Sequence, residues 1–249
     1  VTAIAIIGDV GGCAAHLAAA LEHLDAAGGD TVVIQVGDLV DRGPDSTGVL
    51  DLVQPRIDAS PRRWIQLAGN HEAQYTGGTT FWPERLDDRD AERLRRWWLR
   101  DRMHVAAAVR TAAGEDLLVT HAGLTPAAWH DLGAPVTAAT AADLLNTRPE
   151  PLLWQDRGPL WAEHVAASWL EAHEPMPFSQ VHGHSSIVDH QRRGWRCAER
   201  VRQRSTVDWD ARHTTTRISG ARIIGVDPKH GRSGAPAWSP LLLPDAELL

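Results

Sequence analysis

Short apolar runs alternate with helically spaced apolar positions through the first third of the chain. Residues 2–8 (TAIAIIG) and 31–36 (TVVIQV) are apolar and rich in β-branched side chains, the pattern of short buried strands. Between them AAHLAAALEHLDAAGG places alanines and leucines at helical spacing and ends on glycines, so the three segments predict a βαβ unit. A helix over 46–58 and a strand over 64–67 continue the alternation. Residues 88–102 predict a charged helix carrying Trp97 and Trp98, and MHVAAAVRT and EDLLVTHAG, either side of Ala112, Ala113 and Gly114, predict a hairpin. Helices near 138–147 and 160–172 and strands near 178–182, 221–226 and 238–243 follow. This order predicts a layered α/β fold with a largely parallel or mixed sheet. No internal repeat or long linker divides the 249 residues, so one domain over 1–249 is expected. The arginine-rich segment 189–220 is the least regular, read either as a solvated excursion between strands or as a lid facing a substrate.

Composition narrows the function. Hydrophobic residues make up 43% and charged residues 23%, the range of a globular chain rather than a disordered one. A net charge of −7 disfavours nucleic-acid binding, which depends on neutralising phosphates. No stretch approaches the roughly eighteen apolar residues of a membrane span, and no basic head precedes an apolar run, so neither a span nor a signal peptide is expected. A soluble cytoplasmic protein is the expectation; the chain begins at Val1 rather than Met, which leaves open what precedes it. Two cysteines, Cys13 and Cys197, form no CxxC pair and suggest neither a disulfide framework nor a zinc knuckle. Lys229 is the only lysine; the dominance of arginine reflects coding bias or phosphate recognition by guanidinium forks. Nothing sets the oligomeric state.

The polar residues that follow the predicted strands carry the chemistry. Five strand exits read GDVGG, GDLVDRGP (37–44), GNHE (69–72), THAG (120–123) and VHGHS (181–185). In layered α/β folds ligands bind beyond the carboxyl ends of strands, so these turns can converge on one crevice. Each motif alone is weak, because an Asp after a strand is usually a helix cap or a turn former. Together they supply carboxylate, amide and imidazole groups, a set suited to manganese, iron or zinc, with a shared carboxylate able to bridge two ions.

In this order the five motifs resemble the calcineurin-like metallophosphoesterases. They are nearest to the phosphoprotein phosphatase branch and its bacterial members, whose pattern is GDxHG, GDxVDRG, GNHE, H[AG]G and GH[ST]. The resemblance runs from residue 4 to about 232 and includes a late IIGVDPKHG similar to the family's closing strand and turn. It implies an α/β sandwich of two mixed β-sheets flanked by helices, with a dinuclear site on loops at one edge. It further implies two divalent ions (Mn, Fe or Zn, with manganese the first choice in vitro) bridged by Asp38. Asn70, His121 and His184 would complete the second ion's ligands, and Asp9 would bind the first. His71 would be the general acid, polarised by Asp41; Arg42 would grip phosphate in a bidentate fork, with Asn70 also contacting substrate. Two such cations about 3.5–4 Å apart activate water and neutralise phosphoryl oxygens during in-line attack. An alcohol and inorganic phosphate would leave with no covalent phosphoenzyme.

Three departures qualify the resemblance. The histidine two residues after Asp9 is replaced by Gly11, which predicts a weaker first site. Another donor (His16, Cys13 or His182) fills the role, or water does, or the chain binds phospholigands without turning them over. His182 is expected to pack near the site rather than to ligate, because HGH is not the two-metal spacing. The phosphate-contacting arginine that follows a tryptophan in related phosphatases is shifted in Trp154-Gln155-Asp156-Arg157, and Trp161-Ala162-Glu163 carries a glutamate in its place, so Arg157 is the remaining candidate. Among the tryptophans, Trp64, Trp97, Trp98 and Trp169 are expected in the core. Trp82, Trp195 and Trp209 are candidates for an aromatic wall. The expected activity is metal-dependent hydrolysis of a phosphate monoester, of a phosphoprotein or a small metabolite. A dinucleoside polyphosphate hydrolase and a pseudophosphatase are the alternatives.

Overall fold

The structure, a computed structural model, describes residues 2–26, 30–60, 62–229 and 238–249. In chain order, β1 (Thr2–Ile7), α1 (Ala14–Ala26), β2 (Asp30–Gln35), α2 (Ser46–Ala59) and β3 (Trp64–Gln66) form the expected βαβαβ start. Helices α3 (Asn70–Thr76) and α4 (Asp88–Leu99) lead to the hairpin of β4 (Ala106–Arg110) and β5 (Asp116–Thr120). Then come α5 (Pro126–Asp131), α6 (Ala138–Asn146), α7 (Val165–Ala172) and β6 (Ser179–His182). The remainder is β7 (Val188–Asp189), β8 (Gly194–Trp195), α8 (Glu199–Arg202), β9 (Ser205–Asp208), β10 (His213–Ile218), β11 (Ala221–Gly225), β12 (Leu241–Leu243) and β13 (Glu247–Leu248).

Among the described residues these strands make two large mixed sheets. One has the order β12-β1-β2-β3, with β1, β2 and β3 parallel and β12 antiparallel. The other has the order β13-β4-β5-β6-β11-β10-β9 around a parallel centre of β5, β6 and β11. The strands are apolar along their length because both faces are covered. In β1, Ile4 and Ile6 join Val119, Val181 and Ile224 of the second sheet, while Ala5 and Ile7 turn to Leu17 and Leu21 of α1. Helix α1 buries Leu17, Ala20, Leu21 and Leu24, the stripe its spacing predicts. The molecule is thus an α/β sandwich of two mixed sheets flanked by helices. Trp64, Trp97, Trp98 and Trp169 are buried in it. No helix among the described residues is long and apolar enough to cross a membrane.

GNHE follows β3 as expected, and Asn70 opens α3, so its polar residues ride on the first turn of a helix. Two expectations differ from the structure. Helix α7 begins at Val165 rather than near 160, because His164 adopts φ 56°, which no helix continues through. Segment 189–220 is more regular than expected: after the β7–β8 hairpin and α8 it contributes β9 and β10, which extend the second sheet. Its strands looked polar, yet in HTTTRI the alternate residues Thr214, Thr216 and Ile218 are buried, a period of two carried by β-branched threonines. Gly28 and Gly29 after α1, and His230 and Gly231 of the closing motif, lie outside the described residues.

Candidate metal centre

Parallel strands deliver their following turns to a common edge, and here both sheets do so at the same end of the sandwich. Asp38 follows β2, Asn70 and His71 open α3 after β3, His121 follows β5 and His184 follows β6. One atom from each of Asp38, His121 and His184 falls within 4.8 Å of the others. The ring of His121 shows how these donors could hold an ion. Its Nδ1 lies 2.9 Å from the carbonyl oxygen of Val36, which can only accept, so Nδ1 carries the proton and Nε2 presents a lone pair. That lone pair faces Asn70 Oδ1 at 3.0 Å, His184 Nδ1 at 3.2 Å and Asp38 Oδ1 at 3.4 Å, and Asn70 Oδ1 is also 3.0 Å from His184 Nδ1. Burial lowers the pKa of His121, and burial together with the neighbouring His121 lowers that of His184 to about 3, so both rings are neutral. Carboxylate, amide oxygen and two neutral imidazoles turned toward one point fit a divalent transition ion.

The cage is braced from behind. Glu72, fully buried, accepts the backbone N–H groups of Asp38 (2.7 Å) and Gly69 (2.9 Å) on one oxygen and that of Leu39 (2.8 Å) on the other. Asp38 Oδ1 in turn accepts the N–H of His71 at 3.0 Å. Non-glycine residues of the site lie in the left-handed region, Asp38 at φ 55°, Asp41 at 66°, Arg42 at 60° and His184 at 60°. Such conformations cost about 1–3 kcal/mol each and persist where surrounding bonds over-determine them. Close approach demands glycine at position 183, where a Cβ would lie 2.1 Å from Asp9 Oδ1.

Beside these donors lies a buried histidine–carboxylate pair. His71, with no exposed surface, has Nδ1 2.7 Å from Asp41 Oδ2, which also accepts from Gln74 Nε2 at 2.8 Å. Arg42 lies across this group, donating from Nε to His71 Nε2 at 3.0 Å and placing Nη2 3.5 Å from Asp38 Oδ2. The edges of Phe81 and Trp82 approach the His71 ring, with centroids at 4.9 and 5.0 Å, and Phe81 also meets Trp161 at 4.9 Å. Of the three loop tryptophans, Trp82 adjoins the site. Trp195 stacks with Arg202, and Trp209 with His190 and Arg193.

Residues 2–209 match the family model described as calcineurin-like phosphoesterase. The chain belongs to that family. Two relatives share the name symmetrical bis(5'-nucleosyl)-tetraphosphatase. That of Pectobacterium atrosepticum is 32% identical over 156 residues, 59% of this chain and 52% of its own length. That of Cronobacter sakazakii is 31% identical over 167 residues, 64% of this chain and 53% of its own. The chain spans about half the length of the curated relatives it matches. Among solved structures it is similar to a metallophosphoesterase from Sphaerobacter thermophilus, with a TM-score of 0.46 at 17% identity, covering 99% of this chain and 86% of that one. It is also similar to a protein serine/threonine phosphatase from Saccharomyces cerevisiae, with a TM-score of 0.46 at 15% identity, covering 91% and 67%.

Against the family's two-ion pattern, the residues present fit the second site and not the first. Asp9 is 2% exposed; its Oδ1 accepts the N–H of His184 at 2.9 Å and its Oδ2 has no hydrogen-bond partner. Burial, then the charges of Asp227 and Asp38, raise its pKa well above the usual carboxylate range. Gly11, at φ 52°, contributes only its backbone, donating its N–H to the Asp38 carbonyl at 2.7 Å. None of the three candidate substitutes, Cys13, His16 and His182, joins the grouped donors, and the His182 Nδ1 is engaged by the Gly183 carbonyl at 2.8 Å. Asp227, 1% exposed, was missed as a site residue: it follows β11, a sixth strand exit of the same kind as the other five. Glu72 lies within GNHE, where nothing local marks it as the brace of Asp38. Arg157 is turned away, pairing with Asp131 at 2.8 Å and Gln155 at 3.0 Å in an exposed loop, because the one-residue shift after Trp154 points it outward.

Proposed function

We propose that residues 1–249 act as one metallophosphoesterase domain that holds a divalent ion on Asp38, Asn70, His121 and His184 and hydrolyses dinucleoside polyphosphates. The carrying observation is the convergence of those four donors beside the His71–Asp41 pair. Manganese is the ion expected to serve in vitro. A divalent ion held there lowers the pKa of water and neutralises developing phosphoryl charge.

The chain's own residues do the rest. Arg42 exchanges its contacts with His71 and Asp38 for phosphoryl oxygens, a better match for a guanidinium fork. That exchange frees His71 Nε2, which then takes up a proton and donates it to the leaving oxygen while Asp41 stabilises the imidazolium. Substrate binding thereby arms the acid. Phe81 and Trp82 offer aromatic surface next to the leaving group, which suits a nucleobase, and the relatives' printed name supports the same substrate class. A phosphate monoester, of a phosphoprotein or a small metabolite, is the second reading. It is favoured by Arg42 being the one guanidinium, among the described residues, that contacts the cluster, since one fork grips one phosphoryl group.

The test supplies manganese-loaded protein with diadenosine tetraphosphate and, separately, with p-nitrophenyl phosphate, and resolves products by anion exchange. Release of ADP from the dinucleotide, lost by about 10²–10⁴-fold in His71→Ala, is the expected result. Turnover of the aryl phosphate alone transfers the assignment to monoesters. Turnover of neither, under any divalent ion, sinks the catalytic reading in favour of a phospholigand-binding protein.

A further inference from the structure

We propose that the ammonium of Lys229 takes the place of the family's first metal ion, so that this chain works with one divalent ion and one built-in lysine cation. The inference rests on reading Asp38, Asn70, His121 and His184 as the metal site.

Three buried carboxylates, Asp9, Asp38 and Asp227, lie at the carboxyl ends of β1, β2 and β11. With Gly11 in place of the imidazole, Asp9 and Asp227 are not drawn into a compact donor group: the only such group among the described residues is Asp38, His121 and His184. What stands beside Asp227 instead is Lys229. Its Nζ is 2.8 Å from Asp227 Oδ2 and donates to the His184 carbonyl at 2.9 Å, while its backbone N–H binds Asp227 Oδ1 at 2.7 Å. The same His184 donates its N–H to Asp9, so a single residue ties Lys229, Asp9 and the metal cage together. Lys229 is held at φ 57°, in the left-handed region shared by Asp38 and His184.

Residue type points the same way. The chain has 25 basic residues counting Lys and Arg, and Lys229 is the one lysine. An ammonium is a compact point charge, the organic group nearest to a bare cation, whereas a guanidinium is a planar fork. Its Nζ donates one N–H to the His184 carbonyl and is ion-paired with Asp227, which leaves N–H capacity to meet a phosphoryl oxygen. A second divalent ion on Asp9 would have few ligands and would share the His184 turn with this positive charge.

The test is metal stoichiometry, measured by equilibrium dialysis against manganese followed by elemental analysis, with the electron paramagnetic resonance spectrum as a second readout. Wild type is expected to hold one ion per chain with an uncoupled six-line spectrum. Lys229→Met combined with Gly11→His is expected to hold two, with an exchange-coupled spectrum, and Lys229→Arg to remain at one. Two ions in the wild type, or a coupled spectrum there, overturns the role of Lys229 and leaves the cage intact; so does a double variant that folds and stays at one. No ion in the wild type overturns the cage itself and this inference with it.

Discussion

Glu72 offers the sharpest test of how the site is braced. Its buried carboxylate accepts three backbone N–H groups at 2.7–2.9 Å, which favour the ionised form, yet burial and the adjacent charge of Asp38 outweigh them and push its pKa up to about 7. The ordinary glutamate value is 4.5. A pKa raised on folding means a stability contribution that is complete below the unfolded value and lost as pH rises through the folded one. In metal-free protein, about 2.5 pH units at 1.36 kcal/mol each is a loss of about 3 kcal/mol between pH 4.5 and 8. Glu72→Gln cannot titrate and should lack that component. The measurement is urea unfolding in chelator at pH 5 and pH 8, extrapolated linearly to water, for both proteins. The wild type should lose about 2–3 kcal/mol more than the variant between these two pH values. Parallel pH dependences in the two proteins would refute the reasoning. Added manganese should flatten the wild-type slope, because a cation on Asp38 cancels the charge that opposes ionisation of Glu72.

Three further outcomes follow from the geometry. Asp41→Asn removes the negative charge 2.7 Å from His71 Nδ1 and should lower kcat by about 10–10³-fold, with manganese stoichiometry by elemental analysis unchanged. Gly183→Ala places a methyl 2.1 Å from Asp9 Oδ1 and 2.7 Å from Val36 Cγ2. Such overpacking costs about 1–3 kcal/mol, or roughly 3–10 °C in Tm by calorimetry, and an unshifted Tm would show that the turn yields freely. Trp82→Ala should raise KM for a dinucleoside polyphosphate by about 5–100-fold, the worth of one stacked base, and leave KM for an aliphatic phosphate unchanged. Equal effects on both substrates would remove the base-stacking role.

Much of the site was legible because its chemistry is local. Asp9, Asp38, Asn70, His71, His121 and His184 each stand just past a short apolar strand, and parallel strands must deliver such turns to one edge whatever the details of packing. The layered α/β class followed from the same alternation, whereas the division into two sheets was implied only by the family resemblance. Other features depend on which turns meet. Asp9 and His184 bond across 175 residues of chain, and Lys229 reaches the His184 carbonyl across 45. Neither separation leaves a periodic trace in the sequence. Asp227 was hidden by the same difficulty: its meaning comes from β11 lying beside β6 in the sheet. The brace from Glu72 to Asp38 and the Phe81–Trp82 edge on His71 were likewise decided by side chains meeting in the folded molecule, and the outward turn of Arg157 by its exposed pairing with Asp131. Sequence alone determined which groups were on offer at the strand ends, since backbone patterning is a nearest-neighbour property. Tertiary packing decided how many cations they can share, because charges and lone pairs act through space and only the folded sheets set those distances.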